Sequence, residues 1–221
     1  MIPADSALRV EWLGRLPYGA ALARQESMVE AKIAVPDATP DTLFLLEHDA
    51  VYTMGRSRDR SSLQDPAALP YPVETVGRGG QATFHGPGQL VGYPILDLGR
   101  RGKDLHLYLR TIEEILIESL TSFGVVGQSR EGLTGVWVGA RKIASIGVGV
   151  RRWVSFHGFA INVLGGDALA PFQAITPCGL AGVEMTAVET ECQREVGVES
   201  FARIIGERFS HRLEERLPKR N

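Results

Sequence analysis

The residues best suited to covalent chemistry are Cys178, Lys142 and His85. Cys178 stands in AITPCGLAG between Pro177 and Gly179, with no charged residue from Gly179 to Val183, so its thiol is displayed on a turn. A nucleophile needs that kind of presentation; the plain alternative is a small buried hydrophobe, which is what most unpaired cysteines are. Lys142 stands in GARKIASIGVGV, at the start of a strand whose next residues are small or apolar. An isolated lysine there merely snorkels, whereas a lysine beside a thiol stabilises the thiolate and manages its proton. His85 follows Phe84 and precedes Gly86-Pro87-Gly88, where its ring would serve as a general base, a ligand donor or a brace for the glycine loop. Cys192, in TECQRE among charges, has no such setting and is expected to be inert.

Around His85 runs RGGQATFHGPGQLVGYP, from Arg78 to Pro94. Gly79, Gly80, Gly86 and Gly88 permit close approaches that a Cβ would block, so this segment is built to lay its backbone against a ligand. It has neither the G-x-G-x-x-G spacing nor the G-K-[ST] ending of a phosphate loop. Farther on, His157-Gly158-Phe159-Ala160 and Asn162 end a strand with small residues, which suits either tight sheet packing or a wall for an extended ligand.

Several elements must hold these residues. Trp12 to Leu16 reads as a strand, and Tyr18 to Ile33 as a helix closed by Pro36 and Pro40. Thr42 to Leu46, Val51 to Met54 and Val73 to Val76 read as short strands, with an arginine-rich loop from Gly55 to Pro70. Leu105, Leu109, Ile112, Leu116, Leu120 and Phe123 form one apolar stripe on a helix with Asp104 as N-cap and Gly124 as its stop. From Leu133 to Leu164 the pattern is a meander of three antiparallel strands, and a last helix runs from about Ser200 to near Pro218. Strands and helices come in irregular blocks, so the class is α+β, and one domain over residues 1–221 is expected.

The balance of 24 basic against 26 acidic residues argues against a nucleic-acid binder that works through bulk charge. No apolar run reaches eighteen residues and none follows a basic N-terminus, so the expectation is a cytoplasmic protein with no membrane partner. The cysteines and histidines lack metal-ligand spacing, and no metal is expected. Arg56, Arg58, Arg60, Arg100, Arg101 and Lys103 are candidates for a basic face that docks an acidic partner, or else are solvated loop charges.

In that order, RGGQATFHGPGQLVGYP, RKIASIGV, FHGFAINV and TPCGL together resemble the lipoyl(octanoyl) transferases, and EHDAVYTMGR and GKDLHLYLR extend the likeness from Glu47 to Cys178. The resemblance implies a fold like the catalytic domain of biotin and lipoate protein ligases, a mixed sheet flanked by helices. It implies transfer of an octanoyl group from octanoyl-acyl carrier protein to a lysine of lipoyl domains, those of 2-oxoacid dehydrogenase complexes and of the glycine cleavage H protein, with no cofactor. By position in the motifs, Cys178 would be the acyl acceptor and Lys142 its acid/base partner. Arg78, Gly79, Gly80, Gln81, Ala82, Thr83, Phe84 and His85, then Ser145, Ile146 and Gly147, then Gly158, Phe159 and Ala160, would line the acyl site. Two other readings compete. One is an ATP-dependent lipoate or biotin ligase on the same fold, which has no need of Cys178; the other is a non-catalytic module that binds the acyl group or its carrier.

Overall fold

The computed structural model describes residues 8–57, 59, 61–63, 66–179 and 182–219, and of Cys178 the backbone alone. The elements in chain order are β1 (Arg9–Leu16), α1 (Tyr18–Ala34), β2 (Thr42–His48), β3 (Val51–Met54), β4 (Val73–Thr75), β5 (Ala82–His85), β6 (Gln89–Ile95) and α2 (Leu105–Thr121). There follow β7 (Gln128–Arg130), β8 (Leu133–Val138), β9 (Arg141–Arg151), β10 (Val154–Asn162), α3 (Val188–Cys192) and α4 (Val198–Arg216).

Seven strands form a mixed sheet in the order β1-β2-β6-β10-β9-β8-β7, in which only β1 and β2 run parallel. Strand alternation sorts its two faces. Leu43 and Leu45 join Leu90, Ile112, Phe201 and Phe209 under α2 and α4, whereas Phe44 and Leu46 join Ala21, Val29, Val91 and Tyr93 under α1. The fold is therefore α+β, a mixed sheet with helices on both faces. A second sheet, β4-β3-β5, rises beside it. Asp104 caps α2 by accepting the Leu107 N–H at 2.8 Å, and Gly124, with φ +73°, lies three residues past its end. Among the described residues no helix is long and apolar enough to cross a membrane.

Two strands lie inside the segment that the sequence marks only as ligand-facing. β5 and β6 are buried throughout, and β6 sits between β2 and β10 despite carrying Gly92 and Pro94. A Cβ at Gly92 would overlap the ring of Phe159, its partner on β10, so the aromatic covers the gap. Pro94 has no N–H, and β6 stops pairing with β10 after Phe159↔Gly92. The residue of β10 that continued register would set opposite Pro94, His157, takes φ +53° and gives its own N–H to Gln25 Oε1 at 2.8 Å, while Ser155 Oγ donates to the Pro94 carbonyl at 2.7 Å.

β9 carries a bulge. Val136 pairs with Ala144 but Trp137 pairs with Lys142, leaving Ile143 as an extra residue. Lys142 thereby forms a parallel bridge to Met185, with its N–H donating to the Glu184 carbonyl at 2.8 Å and its carbonyl accepting the Thr186 N–H at 2.9 Å.

Candidate active site

A cavity of about 390 Å³ opens where β8 leaves β9. Pairing ends at Val136↔Ala144 because Gly135, at φ +129°, turns its N–H to Glu113 Oε1 of α2 at 3.0 Å. Gly135 is needed for space as well, since a Cβ there would lie 2.9 Å from Lys142 Cε and 2.5 Å from the Ala144 carbonyl oxygen. The lysine thus runs in the room that a missing side chain leaves.

Lys142 lines the cavity and is buried, with Nζ 5.4 Å from the centroid of the Trp137 ring. The Arg130 guanidinium is 4.3 Å from the same centroid. The indole therefore gives the buried ammonium a π-face, which favours a cation where water is scarce. The Cys178 side chain lies outside the described part of the structure. Its turn, Pro177–Gly179, abuts β5: a Cβ on Gly179 would overlap the side-chain amide of Gln81, itself on the cavity wall. The chain then runs from this turn to the bridge with Lys142, so the segments carrying the two residues are tied together through backbone.

Of the residues that the family motifs single out, Arg78, Gly79, Gly80, Gln81, Thr83, His85, Ser145, Ile146, Gly147, Gly158, Phe159 and Ala160 line this cavity. Ala82 and Phe84 do not. β5 alternates, so Thr83 and His85 face the cavity while Ala82 packs with Met54 and Leu63 and Phe84 with Tyr52 and Phe172. Ala82 and Phe84 hold the strand from behind. Tyr18, Tyr93, His157, Leu105 and Leu109 also line the cavity. Tyr93 belongs to the glycine segment itself, on β6, whereas no sequence spacing joins Tyr18, at the start of α1, to that segment.

The three readings of His85 resolve on geometry. Gln89 Nε2 donates to the Phe84 carbonyl at 3.2 Å and to Asn162 Oδ1 at 2.9 Å, so its Oε1 is the acceptor for His85 Nδ1–H at 2.7 Å. His85 Nε2 then lies 3.3 Å from the Thr53 hydroxyl, which also accepts from Arg78 at 2.8 Å. Both ring nitrogens are engaged within the protein. Burial pushes the imidazole pKa well below its usual range, and His48 and Arg78 push it the same way. His85 is a neutral brace.

Two further buried histidines, His48 and His157, are also neutral near pH 7. His48 donates Nδ1–H to the Leu16 carbonyl at 3.1 Å and accepts from the Tyr93 hydroxyl at 2.7 Å, and burial brings its pKa down to about 4. His157 is lowered to about 4 by burial, assisted by Arg78 and Arg56. The cavity wall therefore carries its charge on Lys142 and Arg78, while its imidazoles stay uncharged. Arg78 spans the loop, donating to the carbonyls of Gly79 at 2.9 Å and Thr53 at 2.8 Å.

The proposed basic face loses Arg101. Its guanidinium is buried, bonding Asp41 at 2.8 Å and Glu214 at 2.8 Å, because Asp41 also holds Lys32 and needs a second cation. Arg100 pairs with Asp37 at 2.5 Å, and Arg58 and Arg60 lie outside the described residues. Cys192 is half-buried, with Sγ 3.5 Å from the Arg194 carbonyl.

This sheet order and cavity define the fold of the protein ligases that act with lipoate or biotin. An archaeal bipartite lipoate protein ligase from Thermoplasma acidophilum superposes with a TM-score of 0.71 at 17% identity, over 95% of this chain and 84% of that one. The biotin protein ligase of Aquifex aeolicus, solved with biotin and ATP, gives 0.62 at 14% identity, over 96% and 73%. These likenesses establish the fold alone. The chain belongs to the lipoyl protein ligase A/B catalytic domain family, which matches residues 17–210, and within it to the octanoyltransferases. It is 49% identical to the octanoyltransferase of Geobacter metallireducens over 93% of both chains, and 48% identical to that of Gloeobacter violaceus over 87% and 88%.

Proposed function

We propose that this protein is a cytoplasmic octanoyltransferase, one catalytic domain over residues 1–221, that moves an octanoyl group from octanoyl-acyl carrier protein to a lysine of lipoyl domains. The acceptors are those of 2-oxoacid dehydrogenase complexes and the glycine cleavage H protein, and no cofactor takes part. The observation that carries the reading is Lys142, buried on the cavity wall and bridged by its backbone to the segment that follows Cys178, in a chain 49% identical to a curated octanoyltransferase.

Cys178 thiolate attacks the carrier thioester, the carbon–sulfur bond to the pantetheine breaks, and the departing thiolate takes a proton from the Lys142 ammonium. Lys142 is then a neutral amine. Acylation removes the negative charge that favoured the ammonium, so the amine is ready to take a proton from the attacking lysine of the acceptor. The amide forms, Cys178 leaves as thiolate and the pair is reset.

Proton handling, more than thiol activation, gives the lysine its use. A thiol of pKa about 8.5 is about 3% thiolate at pH 7, and a drop of two units raises that about 25-fold. The same drop lowers nucleophilicity about 8-fold, so the net gain is about threefold. By contrast an acceptor lysine of pKa about 10.4 is about 0.04% neutral at pH 7, a handicap of roughly 4.6 kcal/mol that a placed base reduces.

Intact-protein mass spectrometry tests this. Mixing the protein with octanoyl-carrier protein, without ATP, should add one octanoyl group that a lipoyl domain removes, and a Cys178→Ser variant should stay unmodified. Modification of the lipoyl domain only with free acid and ATP would instead identify an adenylating ligase, and binding without any transfer would identify a non-catalytic module.

A further inference from the structure

The opening between β8 and β9 exposes one backbone position to the cavity. Ala144, Ile146 and Val148 turn their N–H and C=O groups to the same side of β9, the side away from β10. Ala144 pairs there with Val136, and the Val148 carbonyl accepts the Gly79 N–H at 2.9 Å. Ile146 lies between them. Its next partner in register would be Thr134, but the β8 pairing has ended, and Thr134 and Ile146 line the cavity together. The gap is fixed from outside by the bond between Gly135 N–H and the buried Glu113.

We propose that the Ile146 backbone is an amide-recognition subsite for the donor, taking the first secondary amide of the pantetheine arm. This rests on the donor being a pantetheine thioester, as proposed above. Two features select such a ligand. First, the span from Ala144 to Val148 is about 14 Å and already holds a partner at each end, so it has room for one amide and not for the run of alternate residues that an added protein strand would pair. Second, Lys142 Nζ would lie 3.4 Å from a Cβ on Gly135, which places the ammonium at the point where the edge opens. The pantetheine amide is two methylenes from the sulfur, roughly 4 Å of chain, so a sulfur near that ammonium brings the amide to the open edge. The arm would add to β9 as a one-residue strand, in the manner of peptides that extend a sheet edge.

The test uses the intact protein and three octanoyl thioesters: of N-acetylcysteamine, of 2-mercaptoethyl acetate, which keeps the carbonyl and loses the N–H, and of a plain alkanethiol. Acylation rates at limiting thioester are divided by the rate of each compound with a small thiolate in water, which removes leaving-group differences. We expect a fall of about 10-fold when the N–H is lost and a further fall when the carbonyl is lost, the effect of leaving a buried backbone group unpaired. Equal corrected rates overturn the subsite and leave the transferase intact. So does acylation by octanoyl-carrier protein but by none of the three. No acylation from any donor, the carrier included, sinks the transferase reading itself.

Discussion

The side-chain amide of Asn162 donates to the carbonyl of Thr186 at 2.9 Å, and this bond couples the glycine segment to Lys142. Thr186 donates its N–H to Lys142, and Asn162 accepts from Gln89, which accepts from His85. A single buried line thus runs from the brace in the cavity wall to the backbone of Lys142. Asn162→Ala would strand the Gln89 donor and the Thr186 carbonyl at a cost of about 1–3 kcal/mol each. We expect single-turnover acylation to fall about 10-fold or more, while urea unfolding still shows one cooperative transition.

Lys142→Ala should slow both half-reactions, because in the proposed cycle one nitrogen serves the departing thiolate and then the incoming amine. Loaded acyl-enzyme, chased with lipoyl domain and followed by mass, separates the two. If only acylation slows, Lys142 does not shuttle a proton.

The histidines give a pH prediction of definite sign. His48 and His157 have folded-state values of about 4, lowered by burial, against about 6.5 in the unfolded chain. The unfolded state therefore binds more protons between these values, and stability should be full above about pH 6.5 and fall as pH drops toward 4. Calorimetric Tm across that range checks this. The same shifts mean that no imidazole of the cavity should appear as an inflection in the acylation rate between pH 5.5 and 8, roughly the window where an unshifted histidine would titrate.

Asp41 sits between Lys32 at 2.8 Å and Arg101 at 2.8 Å, all three buried. Burial alone would raise its pKa, but the two cations outweigh it and hold the carboxyl below its usual range. Its contribution is present above the unfolded value of about 3.9 and lost as pH falls through the lower folded one. Asp41→Asn leaves two cations without their shared charge and should cost about 3–5 kcal/mol in urea unfolding at pH 7.

Gly147 lies on the cavity wall, among the residues that the resemblance assigns to the acyl site. A Cβ there would lie 3.1 Å from Arg78 Cδ and 3.1 Å from the Gly79 carbonyl, so a side chain must displace the loop or turn into the cavity. Gly147→Leu is expected to shift preference toward shorter acyl donors, by about four-fold for each methylene denied burial at roughly 0.8 kcal/mol. Competition between hexanoyl and octanoyl donors measures it, and an unchanged ratio removes the claim.

What could be read from sequence followed physical periodicity. The stripe of α2 and its Asp104 cap, the three-strand meander and the short strand Val51–Met54 all carry a pattern that their own burial creates. β5 escaped because it is only four residues long and set between glycines, and β6 because Gly92 and Pro94 look wrong for a central strand. Each is tolerated for a reason that lies on another strand, the Phe159 ring in one case and the redirected His157 N–H in the other. The motifs marked most of the cavity wall but could not orient it, so Ala82 and Phe84 were grouped with the residues they back. Arg101 was counted as surface because the carboxylate that buries it is sixty positions away in sequence.

Ile143, the extra residue of β9, acts as a phase shift in an otherwise regular signal. Upstream of it Lys142 addresses the segment after Cys178; downstream, Ala144 addresses β8. Deleting that one residue would restore strict alternation and make the two halves of the strand incompatible with their present partners. Insertions and deletions between Arg141 and Ala144 should therefore be far less tolerated in chains of this kind than substitutions at the same positions, and the spacing from Lys142 to Gly147 behaves as a fixed length.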